Sequence, residues 1–152
     1  MGLFAATPPL EALKFLISEA ASFEKDEDLE DTVMMINGVA RAFFEAPVTR
    51  DVCVDIPNED KAEQDGDVVG ILLKSLYGTR DAAMNFQKEI QKFMTGIGFT
   101  IGKYNISTYL HAKKKLNVMV HGDDFVSVGN RDEAAWFKHK FEEQFSIKTT
   151  VV

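Results

Sequence analysis

The stretch Leu116-Asn117-Val118-Met119-Val120-His121-Gly122-Asp123-Asp124-Phe125-Val126-Ser127-Val128-Gly129 constrains the fold more than any other part of the chain. Two short runs rich in Val, with Met and Phe, suit strands, and the Gly and Asp between them suit a tight turn. The sequence therefore predicts a β-hairpin with two adjacent carboxylates, Asp123 and Asp124, at its tip. Turn chemistry by itself accounts for such a pair, because Asp favours turns and solvent. Strand packing calls for no such concentration of charge, whereas a divalent cation would. Oxygen donors suit Mg²⁺ (or Mn²⁺), and Mg²⁺ is commonly held by one or two carboxylates together with substrate phosphates. The rest of the chain decides between the two explanations.

A length of 152 residues, 45% of them hydrophobic, fits one domain with a real core. The single cysteine, Cys53, excludes an internal disulfide. Lying between Val52 and Val54, it reads as a small buried apolar residue in an intracellular, cytoplasmic protein. No run approaches the ~20 apolar residues that span a bilayer, so no membrane partner is expected. Residues 1–6 lack the basic flank and long apolar run of a signal peptide. The net charge of −7 has the wrong sign for a self-sufficient nucleic-acid binder, so weak binding is the expectation for this chain alone.

Thr7-Pro8-Pro9-Leu10-Glu11 reads as a helix start, with Pro tolerated in the first turn and Glu at the positive end of the dipole. Leu10, Leu13, Ile17, Ala20 and Ala21 follow at helical spacing and predict its buried face. Residues 22–31 are dominated by acid and read as a solvated loop. Residues 32–36 read as a buried strand. Asn37-Gly38 either turns the chain or marks a strand position that something approaches closely. Residues 39–44 continue toward Pro47, with Phe43 and Phe44 taken as strand residues of which one faces the core. Residues 51–57 alternate acid with apolar side chains as an edge strand does, residues 58–67 read as a surface loop, and 68–73 as another strand. Ala83, Phe86, Ile90, Phe93 and Met94 then predict a helix stopped by Gly96 and Gly98. A strand around Thr108-Tyr109-Leu110 and a basic turn at Lys113-Lys114-Lys115 precede the hairpin. Beyond it, Asn130 is expected to cap a helix, with Glu133 as its capping-box partner. Ala134, Phe137, Phe141 and Phe145 mark the buried face of that helix, and residues 146–152 close the chain as a strand.

From residue 32 onward the order is strand, helix, strand, strand, helix, strand, with extra strands inserted before the first helix. This predicts an α+β, ferredoxin-like (split βαβ) domain over residues 32–152, preceded by a helix and acidic loop over 1–31. Its antiparallel sheet should carry helices on one face and leave the other free for a long ligand. Gly38 should lie close to Asp123 and Asp124. The fold by itself implies no activity.

Several segments together resemble one family, the copia-type retrotransposon reverse transcriptases. Lys74-Ser75-Leu76-Tyr77-Gly78-Thr79-Arg80-Asp81-Ala82-Ala83 is similar to the family's K-S-L-Y-G-L-K-Q-A-P. Val39-Ala40-Arg41-Ala42-Phe43-Phe44 is similar to the tail of D-V-x-x-A-F-L, Val120-His121-Gly122-Asp123-Asp124 to the Y-V-D-D box, and Gly96-Ile97-Gly98-Phe99 to S-L-G-F. The match runs in order over most of the chain. It implies the palm region of an RNA-directed DNA polymerase, with residues 1–31 left from the fingers and the approach to the palm. The implied reaction is nucleotidyl transfer by two metal ions, with RNA or DNA template-primer and dNTP as partners. It assigns Asp123 and Asp124 as catalytic metal ligands, with the Val39 backbone carbonyl as a further one. Phe43, Tyr77 and Gly78 are implied at the nucleotide, Phe43 under the incoming sugar. His121 falls where the family often has Tyr and reads as structural, and His111 and His139 have no partners at zinc-ligand spacing.

One departure is severe. Gly38 stands where the family has its first metal-binding Asp, and a hydrogen cannot replace a carboxylate. Asp31, seven residues upstream, is not placed to substitute. Polymerase activity is therefore expected to be impaired or absent and Mg²⁺ weakly held, if at all. Asp81-Ala82-Ala83 in place of Gln-Ala-Pro is a milder departure. Most of the fingers and the thumb have no counterpart here, so self-association through exposed apolar surface is expected. The competing class is a non-catalytic ferredoxin-like binding module derived from a retroelement. A sheet-based RNA-binding module would want a basic surface, which the charge opposes.

Overall fold

The computed structural model describes residues 5–22, 31–62, 66 and 68–152. Residues 23–30 of the acidic loop expected over 22–31, and part of the loop expected over 58–67, lie outside the described residues. Alternation of apolar side chains produces the central strands. In β1 (Thr32–Val39) every second residue, from Val33 to Val39, is buried. With β6 (Leu116–His121), β7 (Asp124–Asn130) and β8 (Ile147–Val151) it forms the order β6-β7-β1-β8, all antiparallel. This is the split βαβ arrangement expected from the sequence. Two short strands, β4 (Thr100–Ile101) and β5 (Thr108–His111), extend the sheet to six strands beyond β6. The inserted strands β2 (Cys53–Asp55) and β3 (Val69–Ile71) pair with each other in a separate ribbon.

Helix α2 (Ala82–Gly96) buries Ala82, Phe86, Ile90 and Met94, one residue per turn along a single stripe. Its end is a Schellman motif. Phe99 N–H donates to the Met94 carbonyl at 3.0 Å and Gly98 N–H to that of Thr95 at 3.1 Å. Gly98 supplies the required positive φ of 101°. Helix α3 (Arg131–Gln144) is capped by Asn130, whose side chain accepts from Asp132 N–H at 2.9 Å. The reciprocal half of the expected capping box is absent, because the Glu133 carboxylate pairs with Lys114 instead. Lys114 also lies 4.3 Å above the Trp136 ring, so the basic turn is fastened to α3 by charge and by ring. Both helices cover the face of the sheet that carries Val33, Met35, Val39, Leu116, Val118 and Phe125. Phe137 and Phe141 of α3 stack at 5.4 Å, and Phe125 meets Phe141 edge-on at 4.5 Å.

The opposite face is not left free. Helix α1 (Leu10–Ser22) lies across it, with Leu16 buried against Met119 and Val128 and with Ala12, Leu13, Ala20, Met34 and Val126 around them. The expected stripe through Leu10 and Ile17 is therefore corrected: these are 61% and 49% exposed. Leu10, Phe15 and Ile17 make α1 apolar on more than one side, so periodicity could not choose the docking face. Cys53 is exposed, not buried, because alternation along the isolated β2–β3 ribbon turns Val54 inward. Among the described residues no helix is long and apolar enough to cross a membrane.

Candidate functional site

Strand directions bring several segments to one end of the sheet. The β6–β7 turn, the end of β1, the start of β8 and the β4–β5 connection all lie there. The turn is tight. His121 pairs with Asp124, leaving Gly122 and Asp123 between them. Gly122 takes φ of 64°, the positive value that a two-residue hairpin loop demands at its first position. The turn predicted from Gly and Asp chemistry is thus present, with Asp123 and Asp124 both exposed. His121 is also exposed, at the end of its strand.

The hairpin tip is tied to the first strand, as expected. Val39 N–H donates to the Asp123 carbonyl at 2.9 Å. Gly38 is the direct cross-strand partner of Asp124 on one side and of Lys148 on the other. A single row across the sheet therefore reads His121, Asp124, Gly38, Lys148, and cross-strand pairs share a face. This is the face that α1 occupies farther down, at Met34, Val126 and Val128, which leaves the row uncovered. Gly38 belongs to the strand and not to a turn. A Cβ built there would meet Asp124 Oδ1 at 3.3 Å, which identifies what approaches closely. Asp31 lies at the other end of β1 and pairs with Arg131 at 2.8 Å, far in register from the row. Among the described residues no group of three His, Cys, Asp or Glu could hold a metal ion. Gly38 brings no carboxylate to the row, which leaves Asp123 and Asp124 as the acidic side chains that the described residues place at the tip.

Beyond Val39 the chain turns through Arg41, which holds φ of 54°, into a short 3₁₀ helix, Ala42–Glu45. Phe43 and Phe44 are therefore helical and not strand residues, and both contact Tyr77. The Phe43 ring lies 4.3 Å from that of Tyr77 at 31°, and Phe44 meets it edge-on at 5.7 Å. Phe43 also packs on the core, 6.2 Å from Phe86, whereas Tyr77 is 49% exposed. The structure thus brings Phe43 and Tyr77 together, and Gly78 follows with φ of 88°. No atom lies within 4 Å of a Cβ built on Gly78, so conformation and not crowding selects glycine there. An apolar cavity of ≈ 60 Å³ reaches from Phe43 and Phe86 to Tyr109 and Gly122, beneath the hairpin tip. Burial pushes the Tyr109 phenol up to about 12.

Sequence reasoning missed what holds the Tyr77 segment. Asp81 receives two hydrogen bonds from the Arg50 guanidinium, each at 3.2 Å. Beside it, Asn85 Nδ2 donates to Ser75 Oγ at 3.1 Å, and Asn85 Oδ1 accepts from Thr49 Oγ1 at 3.1 Å. Burial is the largest single influence on Asp81 and pushes its carboxyl up. The Arg50 hydrogen bonds, a backbone hydrogen bond, the Arg50 charge and Asn85 together outweigh it and hold the group below the usual carboxylate value. Asp81 was visible only as a departure from the family's Gln-Ala-Pro. Its partner, 31 residues away, was not.

Fold and tip together define the class: an α+β domain whose central hairpin presents adjacent carboxylates beside the end of the first strand. The family model described as "Reverse transcriptase (RNA-dependent DNA polymerase)" matches residues 8–152, and the chain belongs to that family. No curated protein and no solved structure matches the chain.

Proposed function

We propose that this chain is a palm-like unit of a copia-type retroelement reverse transcriptase whose polymerase chemistry is impaired. The observation that carries the reading is the register of Gly38 against Asp124 in a chain matched by the reverse-transcriptase family over residues 8–152. Family membership implies nucleotidyl transfer, with a nucleic-acid template and deoxynucleotides as partners. Asp123 and Asp124 are the candidate catalytic and metal-binding pair, the Val39 carbonyl is a candidate further ligand, and Phe43, Tyr77 and Gly78 are the candidate nucleotide contacts. Two carboxylates can hold one divalent ion weakly, and no two-metal transfer step is assigned to this donor set. Loss of the third carboxylate costs several kcal/mol of transition-state stabilisation, on the order of 10³-fold in rate.

The test is primer extension on an RNA template with Mg²⁺, comparing the unaltered chain with a Gly38→Asp version. Weak or absent synthesis by the former and measurable synthesis by the latter is the expected pattern. Robust synthesis by the unaltered chain would remove the claim of impairment. Failure of both versions, each folded by circular dichroism, would remove Gly38 as a sufficient cause of the impairment.

A further inference from the structure

We propose that the chain self-associates through β8, which pairs antiparallel with β8 of a second copy in a register centred on Thr149. Among the described residues β8 is the last strand of the six-stranded order, with β1 on one side and no strand on the other. Its hydrogen-bonding parity follows from the ends of the ladder. Val152 N–H donates to the Met34 carbonyl at 2.8 Å, Met34 N–H to that of Val152 at 3.3 Å, and Ala40 N–H to that of Ser146 at 2.8 Å. Bonding direction alternates along an antiparallel strand, so Ser146, Lys148, Thr150 and Val152 bond inward to β1. Ile147, Thr149 and Val151 turn their N–H and C=O groups outward, toward the open edge.

Natural edge strands are protected by proline, by charge, by bulges or by extreme shortness. β8 is five residues long and holds no proline, and its only charge is Lys148. That charge selects the register. Centring the pair on Lys148 would set two ammonium groups opposite each other. Centring it on Thr149 sets Lys148 opposite Thr150 of the second copy and Ile147 opposite Val151, and aligns all five residues. The outward-bonding residues of one copy then meet those of the other, as a ladder requires. Because the two copies are related by a twofold axis, the interface is closed and yields a dimer, not a fibre. A five-residue edge falls short of the ~1,200 Å² of a standard interface, so the association is weak and concentration-dependent. It does not rest on the polymerase reading.

Two experiments test the pairing. In a Cys53→Ser background, Thr149→Cys should form a covalent dimer on mild oxidation. A hydrogen-bonded pair at 149 has Cα atoms about 5.5 Å apart, within the disulfide range. Val151→Cys should not, because the two copies of residue 151 would stand about 13 Å apart along the strands. Sedimentation equilibrium of the unaltered chain should show the mass rising from 17.0 kDa toward twice that value with concentration. Val151→Pro should abolish the rise with the far-ultraviolet spectrum unchanged, since it removes only an outward N–H. A monomer at every concentration, a dimer that survives Val151→Pro, or equal cross-linking at 149 and 151 would each overturn the proposal.

Discussion

Gly38 on β1 and Asp124 on β7 face each other across the central strand pair, and a Cβ added at residue 38 would stand 3.3 Å from Asp124 Oδ1. The neighbour it would meet is the end of a side chain on an exposed residue and not backbone. The φ of Gly38 lies outside the left-handed region. Nothing in the backbone therefore demands glycine at this position, and a carboxylate can be placed there with a small adjustment of Asp124.

Gly38→Asp should consequently create a divalent-cation response that the unaltered chain lacks. Without metal, a carboxylate at 38 stands between Asp124 on one side and Lys148 on the other, so the like-charge and opposite-charge contacts across the strands offset and stability should change by less than about 0.5 kcal/mol. Mn²⁺ should raise stability by binding the folded state, with apparent affinity at least about tenfold tighter than for the unaltered chain, or ~1.4 kcal/mol. Thermal melts across a Mn²⁺ titration measure both quantities. Equal responses from the two chains would remove Gly38 as the defect of the site.

The Arg50–Asp81 pair gives the fold an acid-sensitive joint next to Tyr77. The Asp81 carboxyl is held below its ordinary value, so the folded chain releases this proton more readily than the unfolded chain. The pair thus contributes stability above the unfolded value of ~3.9 and loses it as the pH falls through the lower folded value. Asp81→Asn should flatten that part of the acid limb and leave a smaller difference between urea midpoints at about pH 3 and pH 5 than in the unaltered chain. An unchanged acid limb would show that Arg50 contributes nothing measurable there.

How much of this was legible in the sequence depended on how local the determining interactions were. The hairpin was readable because Gly122 and the alternating runs around it specify turn and strands within a dozen residues. α2 was readable because Ala83, Phe86, Ile90 and Met94 keep one period and Gly98 ends it. The face chosen by α1 was not readable, since Leu10, Phe15 and Ile17 compete with Leu16 and only the sheet decides among them. The turn of Phe43 and Phe44 into a 3₁₀ helix depends on Arg41 taking a positive φ, which its residue type does not announce. The missing carboxylate at Gly38 was visible from the resemblance alone, whereas its pairing with Lys148 required the register of β8.

Phe141 is the side chain on which the helical layer converges. It contacts Phe93, Phe125, Phe137 and Phe145 at centroid distances of 5.5, 4.5, 5.4 and 5.3 Å and has no exposed surface. Phe141→Ala should cost about 3–5 kcal/mol, because so many rings cannot all collapse into the void. That is a large part of the ~5–15 kcal/mol available to a domain of this size. Equilibrium urea unfolding should show the midpoint falling with little change in slope. A loss under about 1 kcal/mol would mean that the layer repacks around the gap.

The docking of α1 carries a cost that one substitution should relieve. Glu19 faces the sheet, where Asn117 Nδ2 donates to its Oε1 at 2.6 Å and its Oε2 is buried without a hydrogen-bond partner. Burial pushes the carboxyl up, and the Asn117 hydrogen bond offsets only part of that. The folded chain therefore holds this proton more tightly than the unfolded chain. The associated stability is present below the unfolded value of ~4.3 and lost as the pH rises through the higher folded value. At neutral pH the ionised group opposes docking of a helix that Leu16 anchors against Met119 and Val128, with Ala12, Leu13, Ala20, Met34 and Val126 partly buried around them. Glu19→Gln keeps an acceptor for Asn117 and removes the charge. It should stabilise the chain by about 0.5–1 kcal/mol at pH 7 and leave it nearly unchanged near pH 4. Urea midpoints at the two pH values decide the matter, since destabilisation at pH 7 would mean that the carboxylate is compensated by contacts other than Asn117.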